Sequence, residues 1–307
     1  MSIDALQTRI RKLKNPTMLG LDPTQDIIPP QILSESFEKY GTTPKGLAEA
    51  GYTFCHALLQ ELKDFIPAVK LQSACFFALG ADGIAVMQRL LQDAADMGYY
   101  VVMDLMRNDV PHTAELSAAS VFQGIRIGEE TFQPYVCDAV TLGAYTGSDG
   151  IQPYLPYCKG GAKNIFLLVK TSNKSSREVQ DLLSGDRVIY TAMADLAMRW
   201  SNQDFGKYGY SEVAITAGAT FPDALKKLRD KYDRLFLLVS GYGAQGGSAK
   251  HVQYAFDRMG HGAIVCASRS IISAWKREGE TAENYCAAAR RAAEKMKKEI
   301  LKYVEIV

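Results

Sequence analysis

Residues 235–259 read LFLLVSGYGAQGGSAKHVQYAFDRM, and the order of elements within them decides the fold. Leu235–Ser240 is almost wholly apolar, the composition of a parallel strand covered on both faces. Glycines follow at 241, 243, 246 and 247, and helical periodicity then runs over Ser248–Met259. Gly241-x-Gly243-x-x-Gly246 has the form of a dinucleotide-binding turn. That fingerprint belongs on a first βα unit, with an acidic residue closing the next strand. Here the next apolar run, Ala263–Ala267, leads instead into Ser268-Arg269. In a (β/α)8 barrel the loops after the seventh and eighth strands commonly build a phosphate site. Both loops here have that chemistry, with glycine amides in one and the Arg269 guanidinium in the other. The plainer alternative is a tight turn beside a solvated arginine.

Working outward, apolar runs recur along the 307 residues at Thr17–Leu21, Ala68–Leu71, Tyr99–Asp104, Ala139–Leu142, Ile165–Lys170, Glu212–Thr216, Leu235–Ser240 and Ala263–Ala267. Helical periodicity separates them over Lys45–Lys63, Asp82–Met97, Thr113–Gln123, Val188–Ser201, Phe221–Lys231, Ser248–Met259 and a long basic stretch, Thr281–Val304. Asp82 is the expected N-cap of its helix and Gly98 the expected residue just past its end. No linker or composition break divides residues 1–307, so one domain is expected. Strands alternating with helices fit a closed barrel or a doubly wound open sheet. The Gly241–Gly247 loop and Arg269 favour the barrel, an α/β (β/α)8 fold with an N-terminal helical extension.

With 35 Lys plus Arg against 34 Asp plus Glu, the net charge of +1 makes a nucleic-acid or acidic-membrane partner unexpected. The six cysteines lie in apolar stretches without C-x-x-C or zinc-ligand spacing and read as buried thiols. His56, His251 and His261 read as surface or packing residues, and His112 as a helix-start residue. No apolar run reaches the length of a membrane span, and the charged N-terminus does not read as a signal peptide, so a soluble cytoplasmic protein is expected.

The second and third strands carry acid–base chemistry. Lys70 ends PAVK, and VVMDLMRND supplies Asp104 and Asp109. Carboxylates at the C-terminal ends of barrel strands are where barrel enzymes place catalysis. Strand alternation puts Asp104 and Met106 on the barrel-mouth face, with Arg107 turned away. Two aspartates facing one lysine would hold it protonated. A Lys70–Asp104 salt bridge that merely closes the rim is an equally good reading.

At this point the chain resembles the orotidine 5′-phosphate decarboxylase family, specifically its longer bacterial subgroup. The resemblance runs in order through LGLDP (19–23), VKLQSACF (69–76), D-x-x-R-N-D-V (104–110) with Thr113-Ala114, VTLGAYTGSDGIQPYL (140–155), LLVKTSN (167–173), AGATFP (217–222), SGYGAQGG (240–247) and Ser268-Arg269. It implies a (β/α)8 barrel that forms a homodimer with shared sites and converts orotidine 5′-monophosphate to UMP and CO2 without a cofactor. By the same resemblance Asp22 and Thr113 hold the ribose, and Asp109 reaches in from the other subunit. Ser172 meets the pyrimidine, while Gln245, Gly246, Gly247 and Arg269 grip the phosphate. Lys70 and Asp104 belong to the charged catalytic network.

One departure outweighs these matches. The family pattern on the third strand is D-x-K-x-x-D, and Met106 stands at its lysine. In the family that lysine stabilises the C6 carbanion left by CO2 and donates the proton that makes UMP. Methionine has similar reach but no charge and no proton. Arg107 is a poor substitute donor, since a guanidinium stays protonated near neutrality. Smaller departures are Leu71 where proline is usual, Phe77-Ala78 in place of a pattern carrying glutamate, and Gly143-Ala144 in place of Asn-Pro. Two function classes follow: a decarboxylase strongly impaired at Met106, and a non-catalytic paralogue that binds pyrimidine nucleotides. A metal-dependent enzyme acting on phosphorylated sugars is disfavoured, because the strand ends offer Asp104 and Asp109 without a further Glu or His ligand.

Overall fold

Each of the eight apolar runs becomes a strand in the computed structural model, which describes residues 1–201, 204–277 and 279–307. They are β1 (Thr17–Leu21), β2 (Ala68–Gln72), β3 (Tyr100–Asp104), β4 (Ala139–Gly143), β5 (Asn164–Lys170), β6 (Val213–Gly218), β7 (Leu237–Ser240) and β8 (Ala263–Ala267). Neighbours in sequence pair in parallel, and β8 returns to β1 through Thr17 opposite Val265, so the sheet closes. This closure selects the (β/α)8 barrel over the open sheet. All residues of β1, β3, β6 and β8 are buried, as strands packed inside by their own side chains and outside by helices must be.

The outer helices form where apolar spacing places a stripe against the barrel. Gly80–Asp96 buries Val86, Met87, Leu90, Leu91 and Ala94. It starts earlier than its sequence suggests, so Asp82 lies inside its first turn and is not the N-cap, while Gly98 follows its end with φ of 81°. The segment Ser248–Met259 is helical only over Ala249–Val252, followed by a 3-10 turn at Gln253–Ala255. Asp257 stops it, because its carboxylate accepts from the amides of Met259 and His261 (both 2.8 Å) and competes with helical bonding. The final helix is Tyr285–Ile300. A turn in which Asn284 donates to the Thr281 carbonyl and side chain precedes it. Two small hairpins, Ile125–Ile127 with Glu130–Phe132 and Leu183–Ser184 with Arg187–Val188, were not expected.

The extension expected at the N-terminus is α1 (Ile3–Leu13), which seals the barrel floor with Ile3, Leu6 and Ile10, all fully buried. Tertiary bonds seat it, among them those in which the Ile3 amide donates to Glu212 Oε2 (3.0 Å), Gln7 Oε1 accepts from the Gly262 amide (3.0 Å) and Arg11 Nε donates to the Val307 carbonyl (2.7 Å). Nearby, the buried Arg229 guanidinium donates to five carbonyls, those of Tyr232, Asp233, Leu235, Ala255 and Gly262. Burial pushes the Glu212 carboxyl up to about 7, with Asp4 and Asp204 adding to the rise and the Ile3 amide opposing it. The folded chain therefore favours protonated Glu212. Its contribution to stability is full below the ordinary value of 4.5 and is lost as pH rises through about 7. Glu212→Gln keeps the acceptor for Ile3 and removes the ionisation. Its melting temperature should match the parent near pH 4.5 and exceed it at pH 8 by the equivalent of about 3 kcal/mol. Identical pH–Tm curves for the two proteins would show that the carboxylate is not desolvated.

Candidate active site

At the C-terminal ends of the strands lies a cavity of about 390 Å3. In its wall stands Asp104, which ends β3 and is 3% exposed. The Asp104 Oδ2 atom accepts from Lys70 Nζ and from Gln72 Nε2 (2.9 Å), and Oδ1 accepts from Thr141 Oγ1 (2.5 Å). Lys70 and Gln72 share one face of β2 by alternation, and the β2–β3 register sets Gln72 directly opposite Asp104. Burial alone would lower the Lys70 pKa. The Asp104 charge outweighs it and, with Asp22, holds the ammonium well above its usual range. Burial also pushes the Cys266 thiol on the cavity wall up to about 12, so it stands as a neutral thiol.

Asp22, Lys70, Asp104, Met106, Ser172, Gln245 and Arg269 all line this one cavity, although they come from six different strand ends. Asp22 follows β1 and accepts a hydrogen bond from Ser268 Oγ after β8. Met106 arrives by a route that strand alternation does not describe. The strand ends at Asp104, and Met106 takes a left-handed backbone (φ 49°) with its amide donating to the Thr141 carbonyl (2.9 Å). A methionine in that conformation costs on the order of 1 kcal/mol. Asn108 fixes the turn from the other side, exchanging bonds with the Gly143 carbonyl (2.6 Å) and amide (2.9 Å). Arg107 is exposed and is not among the cavity-lining residues, as its expected outward turn requires.

The expectation of two aspartates facing Lys70 is corrected: only Asp104 does so. Asp109 stands exposed on the segment leading to the helix Pro111–Phe122, outside its own chain's cavity. Thr113 is exposed in that helix and donates to the Val110 carbonyl (3.0 Å). The glycine loop also differs from a simple cradle of free amides. The amides of Gly243, Gly246 and Gly247 donate to the carbonyls of Gly247, Gly243 and Gly241, within the loop itself. From this loop Gly241, Tyr242, Ala244 and Gln245 line the cavity, and Ser268 and Arg269 line it after β8, whereas Gly243, Gly246 and Gly247 are not among the lining residues. Gln72 and Thr141 were not singled out in the sequence. Alternation from Lys70 and a lone polar residue in an apolar strand were the available signals. Among the described residues no three His, Cys, Asp or Glu side chains converge as metal ligands.

A sequence profile of the orotidine 5′-phosphate decarboxylase / HUMPS family matches residues 19–285. The chain belongs to this family. It is 35% identical over 274 residues to the orotidine 5′-phosphate decarboxylase of Rhodopirellula baltica, covering 89% of this chain and 88% of the relative. The enzyme of that name from Clostridium perfringens (strain SM101 / Type A) is 31% identical, with 98% of each chain covered. Among solved structures, Leishmania donovani OMP decarboxylase superposes with a TM-score of 0.72 at 27% identity, over 98% of this chain and 100% of that one. A putative orotidine-monophosphate-decarboxylase from Toxoplasma gondii gives 0.74 at 26% identity, over 97% and 98%. No helix among the described residues is long and apolar enough to cross a membrane.

The three donors on Asp104 make Lys70 its only charged partner in the cavity. Lys70→Met should therefore destabilise the fold at pH 7 by about 3 kcal/mol, the cost of stranding a buried carboxylate. Denaturant unfolding at pH 7 measures it, and a loss below ~1 kcal/mol would make the pair a marginal one.

Proposed function

We propose that the cavity binds a pyrimidine nucleoside 5′-monophosphate and that the chain is an orotidine 5′-phosphate decarboxylase whose turnover is strongly impaired by Met106. The observation that carries this reading is the composition of the cavity wall: an intact Lys70–Asp104 pair, Ser172, Gln245 and Arg269, and a methionine thioether beside them. Decarboxylation breaks the C6–carboxylate bond, leaves its electron pair on C6 and requires a proton there. Lys70 is the cation on this side of the cavity, and its proton is held by Asp104. The Met106 side chain offers neither charge nor proton. Loss of general-acid help costs about 10²- to 10⁴-fold, and loss of a preorganised charge at the carbanion costs more.

The dimer belongs to the same proposal. Asp109 and Thr113 lie outside their own cavity and beside exposed apolar side chains, Val110 and Leu116. A second copy docked there would bring Asp109 to its neighbour's cavity and cover that apolar surface. Sedimentation equilibrium should accordingly give twice the chain mass, and a monomer at micromolar concentration would refute the shared site.

Calorimetric titration with UMP and with orotidine 5′-monophosphate, with absorbance followed in parallel, tests the central claim. Saturable binding with negligible turnover is expected, and Met106→Lys should raise decarboxylation by at least about 10²-fold. The same observation favours a second reading, a nucleotide-binding paralogue without catalysis. A Met106→Lys protein that binds UMP and still fails to turn over would select it. Parent turnover at an undiminished rate would show that another residue supplies the proton.

A further inference from the structure

Ser172 reaches the cavity from the segment after β5, and several of the groups that set its position stand outside the cavity. Two glycines make the seat. A Cβ on Gly218, which ends β6, would fall 2.7 Å from Ser172 Cα, and a Cβ on Gly241, after β7, would fall 2.6 Å from Ser172 Cβ. Ser172 thus occupies space that only glycine leaves at both neighbours. Thr220 Oγ1 donates to the Ser172 carbonyl (2.8 Å) and holds the backbone in that seat.

The second element is a buried charge. Lys170, the last residue of β5, is 1% exposed. Its Nζ donates to Asp181 Oδ1 (2.6 Å) and Ser176 Oγ (3.3 Å) and lies 4.3 Å from the centre of the Phe221 ring. One step along, Thr171 and Gln180 exchange two bonds, from the Thr171 amide to Gln180 Oε1 (2.9 Å) and from Gln180 Nε2 to Thr171 Oγ1 (2.8 Å). Segment 171–181 is therefore closed at its base by an ion pair and an amide clasp, with Ser172 and Asn173 facing the cavity from inside the ring. Burying an ammonium is costly and gives little net stability, so its retention fits a role in fixing one conformation.

We propose that Lys170 and Asp181 are a positioning pair for Ser172, so that recognition of the pyrimidine, and not of the phosphate, depends on an ion pair outside the cavity. The proposal rests on the reading that Ser172 meets the base. Neither Lys170 nor Asp181 lines the cavity or reaches Gln245 or Arg269, so the phosphate end is independent of them.

Dissociation constants for UMP and for ribose 5-phosphate, measured by calorimetry on the full chain, separate the two ends. Asp181→Asn, an exposed change, and Ser172→Ala should each weaken UMP by about tenfold and leave ribose 5-phosphate within about twofold. The double variant should bind UMP no more weakly than Ser172→Ala alone, because both act through one contact. Asp181→Glu should restore part of the UMP affinity. Lys170→Met, which leaves no unpaired buried charge, should reproduce Asp181→Asn and guards against a folding defect in it. If Ser172→Ala weakens UMP and neither tether variant does, or if the tether variants weaken both ligands alike, the positioning role is overturned while the nucleotide reading stands. If Ser172→Ala has no effect, the reading that Ser172 meets the base fails and the proposal falls with it, while a parent that binds neither ligand overturns the nucleotide reading as well.

Discussion

One carboxylate organises the mouth of this barrel. Asp104 accepts from Lys70 and Gln72 on β2 and from Thr141 on β4, so three adjacent strand ends are tied to a single buried charge. An anion in that position needs its full set of donors, and the arrangement supplies them without the residue at 106. The network is therefore complete with a methionine in the cavity wall, and the electrostatic frame of the site stands without any charge at position 106. Lys70 is engaged by Asp104, and the Met106 side chain is neutral.

The fold was legible because parallel strands buried on both faces must be apolar nearly throughout, and runs such as LFLLVS and AIVCA have few other solutions. The order of loops along the chain did the rest, placing the glycine-rich turn and Arg269 after the seventh and eighth strands. Two hairpins escaped because Ile125–Ile127, Glu130–Phe132, Leu183–Ser184 and Arg187–Val188 are short and largely exposed, with no burial to pattern their sequence. The helix expected over Ser248–Met259 failed for a local reason. Periodicity registers which face is apolar but not that the Asp257 side chain captures amides the helix would use.

Legibility of the site divides in the same way. Residues at strand ends, such as Lys70 and Asp104, follow from alternation and register. Met106 lies in the cavity although its strand has already ended, because a left-handed residue and the Asn108 clamp turn the chain back. Spacing could not separate Asp104 from Asp109, which are five residues apart in sequence and on different surfaces in space. The hydrogen bonding of Gly243, Gly246 and Gly247 among themselves was likewise invisible, since a glycine-rich loop has one sequence and several ways to direct its amides.

The helix that seals the barrel floor has a consequence for how the chain is assembled. Its Ile3, Gln7 and Arg11 are bonded to Glu212, Gly262 and Val307, partners separated from them by 209, 255 and 296 residues. Likewise β1 pairs with β8, the last strand of the barrel. Until β8 is synthesised, β1 is an open edge and the amphipathic stretch before it has no seat. A segment made before the rest of the barrel is thus among the last to be locked in place, which makes closure of the barrel a late, long-range event in folding and the half-made sheet its most aggregation-exposed stage.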